Sequence, residues 1–96
     1  MIYEWDALKA AGNLDKHGIS FEDAASVFLD PLAMTFPDPD HSVEEHHEIT
    51  IGLSKRRQLV FVSHCERADR MRIISARPAT RMERKQYAEG ISEHIG

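Results

Sequence analysis

Three strand-like segments follow one another with almost nothing between them, and this constrains the fold more than any other feature of the chain. Glu48 to Leu53 alternates, with Ile49, Ile51 and Leu53 on one side and Glu48, Thr50 and Gly52 on the other, as a half-buried strand does. Gln58 to Cys65 is almost continuously apolar, which suits a central strand covered on both faces. Arg70 to Arg77 supplies the third. The links are SKRRQ, a basic hairpin turn, and Glu66 to Asp69, a second hairpin loop. Parallel neighbours need a crossover of roughly a dozen residues or more, so strands joined this closely pair antiparallel, as a meander.

The flanking sequence supplies helices and two further strands. Met1 to Trp5 is short and apolar-aromatic, suited to an opening strand. Asp6 caps a helix expected to run to His17 and close at Gly18, with Leu8, Ala11 and Leu14 as its apolar side. Ser20 and Asp23 resemble a capping box, and Phe21, Ala24, Val27 and Phe28 recur at helical spacing until Asp30-Pro31 stops the run. Pro31 to Phe36 reads as a strand, while Pro37 and Pro39 make FPDPDHS a loop. Thr80 and Glu83 form a full capping box that launches a last helix, expected to end at Gly90. The order strand, helix, helix, four strands, helix predicts an α+β domain. Its expected form is an antiparallel sheet of about four strands with two N-terminal helices and one C-terminal helix.

At 96 residues the chain is expected to be one domain, 1–96, burying roughly two-thirds of its unfolded surface. It shows no basic-then-apolar leader and no apolar stretch near the ~20 residues of a bilayer span, so a soluble, cytoplasmic protein with no membrane partner is expected. The single cysteine, Cys65, cannot form an intrachain disulfide and reads as a buried strand residue in LVFVSHC.

Charge is segregated along the chain. Lys55 to Tyr87 holds Lys55, Arg56, Arg57, Arg67, Arg70, Arg72, Arg77, Arg81, Arg84 and Lys85 against Glu66, Asp69 and Glu83, a balance of +7. The remainder carries −11, and the total is −4. A basic half inside a mildly acidic protein creates a local field able to attract a polyanion despite the overall sign. The plainer alternative is an internal dipole with both halves solvated.

Several short motifs occur in fixed order: EWD at Glu4 to Asp6, Lys9, Asn13, KHG at Lys16 to Gly18, SFEDA at Ser20 to Ala24, IGLS at Ile51 to Ser54, RIISAR at Arg72 to Arg77, and ER-x-x-Y at Glu83 to Tyr87. With this pattern the chain resembles the BrnT family of bacterial toxins over almost its whole length. The resemblance implies a RelE-like fold and the toxin half of a type II toxin–antitoxin module. It further implies a ribonuclease that inhibits translation and growth and is neutralised by a BrnA-type antitoxin, with DNA contacted only through that antitoxin. The sequence departs from the family pattern at His46. That departure is what favours the alternative of a non-catalytic binding module, a decayed toxin that docks an antitoxin and helps autorepress its operon.

RNA cleavage without a metal needs a base for the 2′-hydroxyl proton, cations for the charged phosphorane and an acid for the leaving oxygen. Arginine suits the second task, because its planar fork meets two phosphate oxygens at once and keeps its charge. Arg77 and Arg67 are the first candidates. Arg77 stands at the strand-to-helix junction, where the N-terminus of the helix adds positive partial charge, although a structural pair with an acid such as Glu4 is the alternative. Arg67 lies on the loop, with a solvated turn residue as its alternative. Strict alternation puts Arg72 on the face opposite Arg77 unless the strand twists or bulges, so Arg72 is secondary. His64 is the candidate proton carrier, or else a hydrogen-bonded core histidine. Tyr87 is a candidate stacking surface or proton donor, or else packs its ring on the sheet.

Lys55, Arg56 and Arg57 are expected to meet RNA phosphates without reading sequence, or else to bind the antitoxin's acids, and Arg81 and Arg84 are expected to bind RNA as well. Lys9 and His17 shape the site or cover the first helix. DPDHSVEEHHE has acids and histidines enough for a metal, but adjacent His46 and His47 point to opposite faces of a strand, so neither metal nor other cofactor is expected.

Overall fold

The computed structural model describes residues 1–41 and 45–95. The expected meander is present: β3 (His47–Leu53), β4 (Leu59–Arg67) and β5 (Arg70–Pro78) pair antiparallel in sequence order. β2 (Met34–Pro37) adds antiparallel to β3. The opening strand β1 (Ile2–Glu4) joins the far edge, parallel to β5, through Ile2↔Arg70, Tyr3↔Met71 and Glu4↔Arg72. The sheet therefore has five strands in the order β1-β5-β4-β3-β2, not about four, and one edge is parallel. A parallel edge is sterically open to β1 because the whole intervening chain serves as its crossover.

The caps behave as local chemistry dictates. Asp6 accepts from the Lys9 amide at the start of α1 (Ala7–His17), and Gly18 closes it with φ of 72°. Ser20 accepts from the Asp23 amide to start α2 (Phe21–Ser26), which tightens into a 3-10 turn at Val27–Leu29. Thr80 Oγ1 and Glu83 bond reciprocally at the start of α3 (Arg81–Ile95). Gly90 does not end this helix. An added Cβ there would meet Met34 Sδ at 3.4 Å, an ordinary contact.

α1 and α2 cover one sheet face, where Ile19, Phe21, Ala24 and Val27 pack on Val60, Val62, Ile73 and Ala76. α3 covers part of the other, where Tyr87 and Phe61 pack on Ile49, Ile51, Leu59 and Ala79. β3 is consequently buried on both sides, not half-buried: Thr50 is covered with its hydroxyl on His64 and Thr35, and Gly52 lies under the 3-10 turn, where a Cβ would stand 2.7 Å from Val27 Cγ1. The apolar side expected for α1 is reversed. Leu8 is 85% exposed, Leu14 is 51% exposed, and the buried residue is Asn13. β1 ends beside Arg72, so the Ala76 amide and carbonyl have no strand to pair with on that edge. Asn13 replaces the strand, donating to the Ala76 carbonyl at 2.8 Å and accepting its amide at 3.1 Å.

Candidate active site

Ser63 pairs with Ser75, but the next residue of β4, His64, pairs with Ile73. Ile74 is the extra residue of a β-bulge, and it resets the alternation of β5. Arg72 therefore lies across from Cys65, and Arg77 across from Phe61, two residues of the same parity on β4. Both arginines stand on one face, contrary to what alternation alone indicated. Arg67 shares that parity. It belongs to β4 itself, opposite Arg70, because the hairpin is narrower than expected: Ala68, with φ of 57°, turns the chain. All three arginines thus share the face that α3 covers only in part.

Each is oriented by a carboxylate. Arg67 meets Glu45 through Nε and Nη2, both at 2.7 Å. Arg72 meets Glu4 at 3.0 Å across the parallel edge. Arg77 meets Glu83, not Glu4, at 2.8 and 2.9 Å, and its guanidinium carbon lies 3.7 Å from the centre of the Phe61 ring. The Arg67 and Arg77 hydrogen bonds hold the carboxyls of Glu45 and Glu83 below their usual range. Arg72 uses one nitrogen, so most of its donors remain available among the described residues.

His64 is on the other face. It is 1% exposed, touches the Phe28 ring edge-on and shares a 2.7 Å hydrogen bond between Nε2 and Thr50 Oγ1, which in turn meets Thr35 Oγ1. Burial pushes its pKa down to about 4. The structure therefore separates His64 from the arginines and makes it a neutral core residue. Tyr87 packs its ring in the α3 cluster and donates its hydroxyl to Asp30 at 2.6 Å; burial, and then this bond, push its pKa up to about 12. Its proton is committed to a structural bond.

Among the described side chains, the histidine on the arginine face is His47, opposite Cys65. It lines a groove of about 430 Å³ with Asp38, Asp40, Phe61, Ser63 and Ser75. Sequence reasoning weighed His47 only as a metal ligand; its parity with Ile49, read together with that of Phe61, was the signal available. Ser42, Val43 and Glu44 of the acidic-histidine stretch lie outside the described residues. From the rest, a carboxylate oxygen of Glu45, a ring nitrogen of His47 and the sulfur of Cys65 come within 4.8 Å of one another. His46 is apart from them, 3.9 Å from Glu48.

Comparison with known proteins gives a family model described as "Ribonuclease toxin, BrnT, of type II toxin-antitoxin system", matched over residues 5–83. The chain belongs to this BrnT family of ribonuclease toxins. A search of curated proteins finds no match. Among solved structures, the Brucella abortus ribonuclease toxin BrnT superposes with a TM-score of 0.65 at 22% identity, over 84% of this chain and 100% of that one, which supports the fold.

The BrnT match includes Arg67, Arg72, Arg77, Arg81 and His47, and stops before Arg84 and Tyr87. As members of a type II toxin family, such chains have an antitoxin partner and RNA as substrate. No helix among the described residues is long and apolar enough to cross a membrane. Lys55, Arg56 and Arg57 form the exposed β3–β4 turn, held by Ser26 and Asp23, and Arg81 and Arg84 are exposed on the first turns of α3. The Ala79 amide bonds the Leu59 carbonyl, so turn and helix start lie at the same end of the sheet as Arg77.

Proposed function

We propose that this protein is a metal-independent endoribonuclease acting in the cytoplasm, and that it cuts through the sheet face bearing Arg67, Arg72, Arg77 and His47. The observation that carries this reading is the bulge at Ile74, which sets Arg72 and Arg77 on one side of β5 beside an open groove. An RNA strand enters over the basic end, where Lys55, Arg56, Arg57, Arg81 and Arg84 meet its phosphates without reading bases. The scissile phosphate sits between Arg72 and Arg77, whose forks stabilise the charge of the phosphorane as the 2′-hydroxyl attacks, while Arg67, six residues of β4 beyond Phe61 and so roughly 20 Å from Arg77, holds a neighbouring phosphate. His47 replaces His64 as the group that moves the proton, because it alone of the two faces the groove: it takes the 2′-hydroxyl proton and returns it to the 5′-oxygen as the P–O bond to that oxygen breaks. Tyr87 acts by packing.

A BrnA-type antitoxin neutralises the protein by covering the arginine face with its own acids, and DNA is reached only through that antitoxin. A second reading, the non-catalytic module that docks an antitoxin and aids repression, draws support from the burial of His64, which withdraws a proton carrier.

The deciding experiment is cleavage of a long purified RNA with EDTA present, by the wild-type chain and by Arg77→Lys and His47→Ala, each checked by circular dichroism. Arg77→Lys keeps the charge but loses the fork, and a drop of about a hundredfold is expected. Wild-type cleavage that both folded variants retain would remove the arginine face from the mechanism. Antitoxin binding without any cleavage would establish the second reading.

A further inference from the structure

The sheet face that carries the arginines also gathers three side chains of different chemistry from two stretches of the chain. Glu45 precedes β3, His47 opens β3 and Cys65 lies across from His47 on β4. Their nearest donor atoms fall within 4.8 Å of one another, and the thiol is already 3.8 Å from Glu45 Oε2. Four-coordinate zinc holds sulfur at about 2.3 Å and nitrogen or oxygen near 2.1 Å, so its ligand atoms stand roughly 3.5 Å apart. The three groups need only close by about an ångström. An imidazole, a thiolate and a carboxylate form a donor set for a borderline transition-metal ion, not for calcium or magnesium, which take oxygen.

We propose that Glu45, His47 and Cys65 bind a zinc-type divalent ion, and that the ion silences the cutting face. Binding itself stands independently of the proposed ribonuclease mechanism; the silencing rests on it. The ion takes the imidazole of His47 and draws Glu45 Oε2 away from Arg67 Nε, leaving Oε1 with Arg67 Nη2. The thiol proton passes to water as the Cys65–metal bond forms, so binding tightens as pH rises. A fourth position is filled by water. With His47 coordinated, no other imidazole among the described side chains of this face is left to accept the 2′-hydroxyl proton.

Co2+ is the probe, added to the full chain in the absence of chelator, because a thiolate bound to cobalt absorbs in the near ultraviolet. The wild-type protein is expected to develop this band and to lose it when Zn2+ displaces Co2+. Cys65→Ser and Cys65→Ala are expected to lack the band while keeping the circular dichroism of the wild type, and Arg67→Ala, which frees Glu45, to gain Co2+ affinity. No band in the wild type, or a band that survives in a folded Cys65 variant, would overturn the site.

RNA cleavage is then followed with and without Zn2+. Loss of cleavage in the wild type and not in Cys65→Ser supports silencing. Unchanged wild-type cleavage with the cobalt band present would refute silencing alone, and absence of metal-free cleavage would refute the ribonuclease reading and leave the site standing.

Discussion

Arg77 and Glu83 face each other through paired hydrogen bonds of 2.8 and 2.9 Å, while the same Glu83 accepts the Thr80 amide at 2.8 Å as the closing member of the α3 capping box. The cap of the helix and the orientation of the arginine are therefore one unit. Glu83→Ala should cost about 2 kcal/mol in urea unfolding, from a lost cap and a lost charged hydrogen bond together. RNA cleavage should fall with it. The pH dependence has a definite sign: Arg77 holds the Glu83 carboxyl low, so this stabilisation is complete above the ordinary carboxylate range and disappears as pH drops through the lowered value. Glu83→Gln should flatten that acid limb of the stability curve.

His64 titrates in the opposite chemical sense but with the same direction in pH. The unfolded imidazole takes up a proton near its ordinary 6.5, whereas the buried one resists until about 4. Stability is complete above pH 6.5 and falls progressively between 6.5 and 4, by about 3 kcal/mol over the whole interval. His64→Gln, which can still meet Thr50, should lose this slope. A variant whose denaturant midpoint tracks the wild type across that window would show that His64 is not held neutral by burial.

Asn13 carries a larger structural burden than its polarity suggests. Asn13→Leu leaves the Ala76 amide and carbonyl buried without partners and should cost about 3 kcal/mol. Because Ala76 precedes Arg77, amide exchange at the end of β5 should accelerate more than exchange in β3. Uniform acceleration across the sheet would argue against a local role.

Gly52 has no room for a methyl group. Its added Cβ would stand 2.7 Å from Val27 Cγ1 and 2.9 Å from the Ala33 Cβ, so Gly52→Ala should lower stability by about 2 kcal/mol through forced displacement of the 3-10 turn. Val27→Ala in the same chain should recover part of that loss in a thermal melt, since it removes the nearer obstacle.

The elements legible in sequence were those fixed by near neighbours. Asp6, Gly18, Ser20 and the Thr80–Glu83 pair act within a turn of chain, and the meander follows from the shortness of its links. What escaped was decided across the sheet. One extra residue, Ile74, reverses the parity of everything before it on β5, and no local pattern marks it. The inward side of α1 was misread because Asn13 is recruited by a backbone gap that exists only once β1 and β5 have paired. The sequence points to His64 rather than His47 as proton carrier; which of the two meets the groove depends on which helix covers which face. Arg67 drew attention as a loop residue, yet it gained its fixed position from a hairpin tighter than its composition indicated.

The pairing of β1 with β5 also imposes an order in time. Glu4 waits for Arg72, 68 residues downstream, before it has a partner. During synthesis the Lys55–Arg57 turn emerges first, then Arg67, then Arg72 and Arg77, and the edge strand can pair only once Arg70 to Arg72 have been made. A message cut short between Arg67 and β5 therefore yields a fragment that has the basic turn but lacks two of the three arginines. Chain growth is itself a delay line between the making of this protein and its capacity to act on RNA.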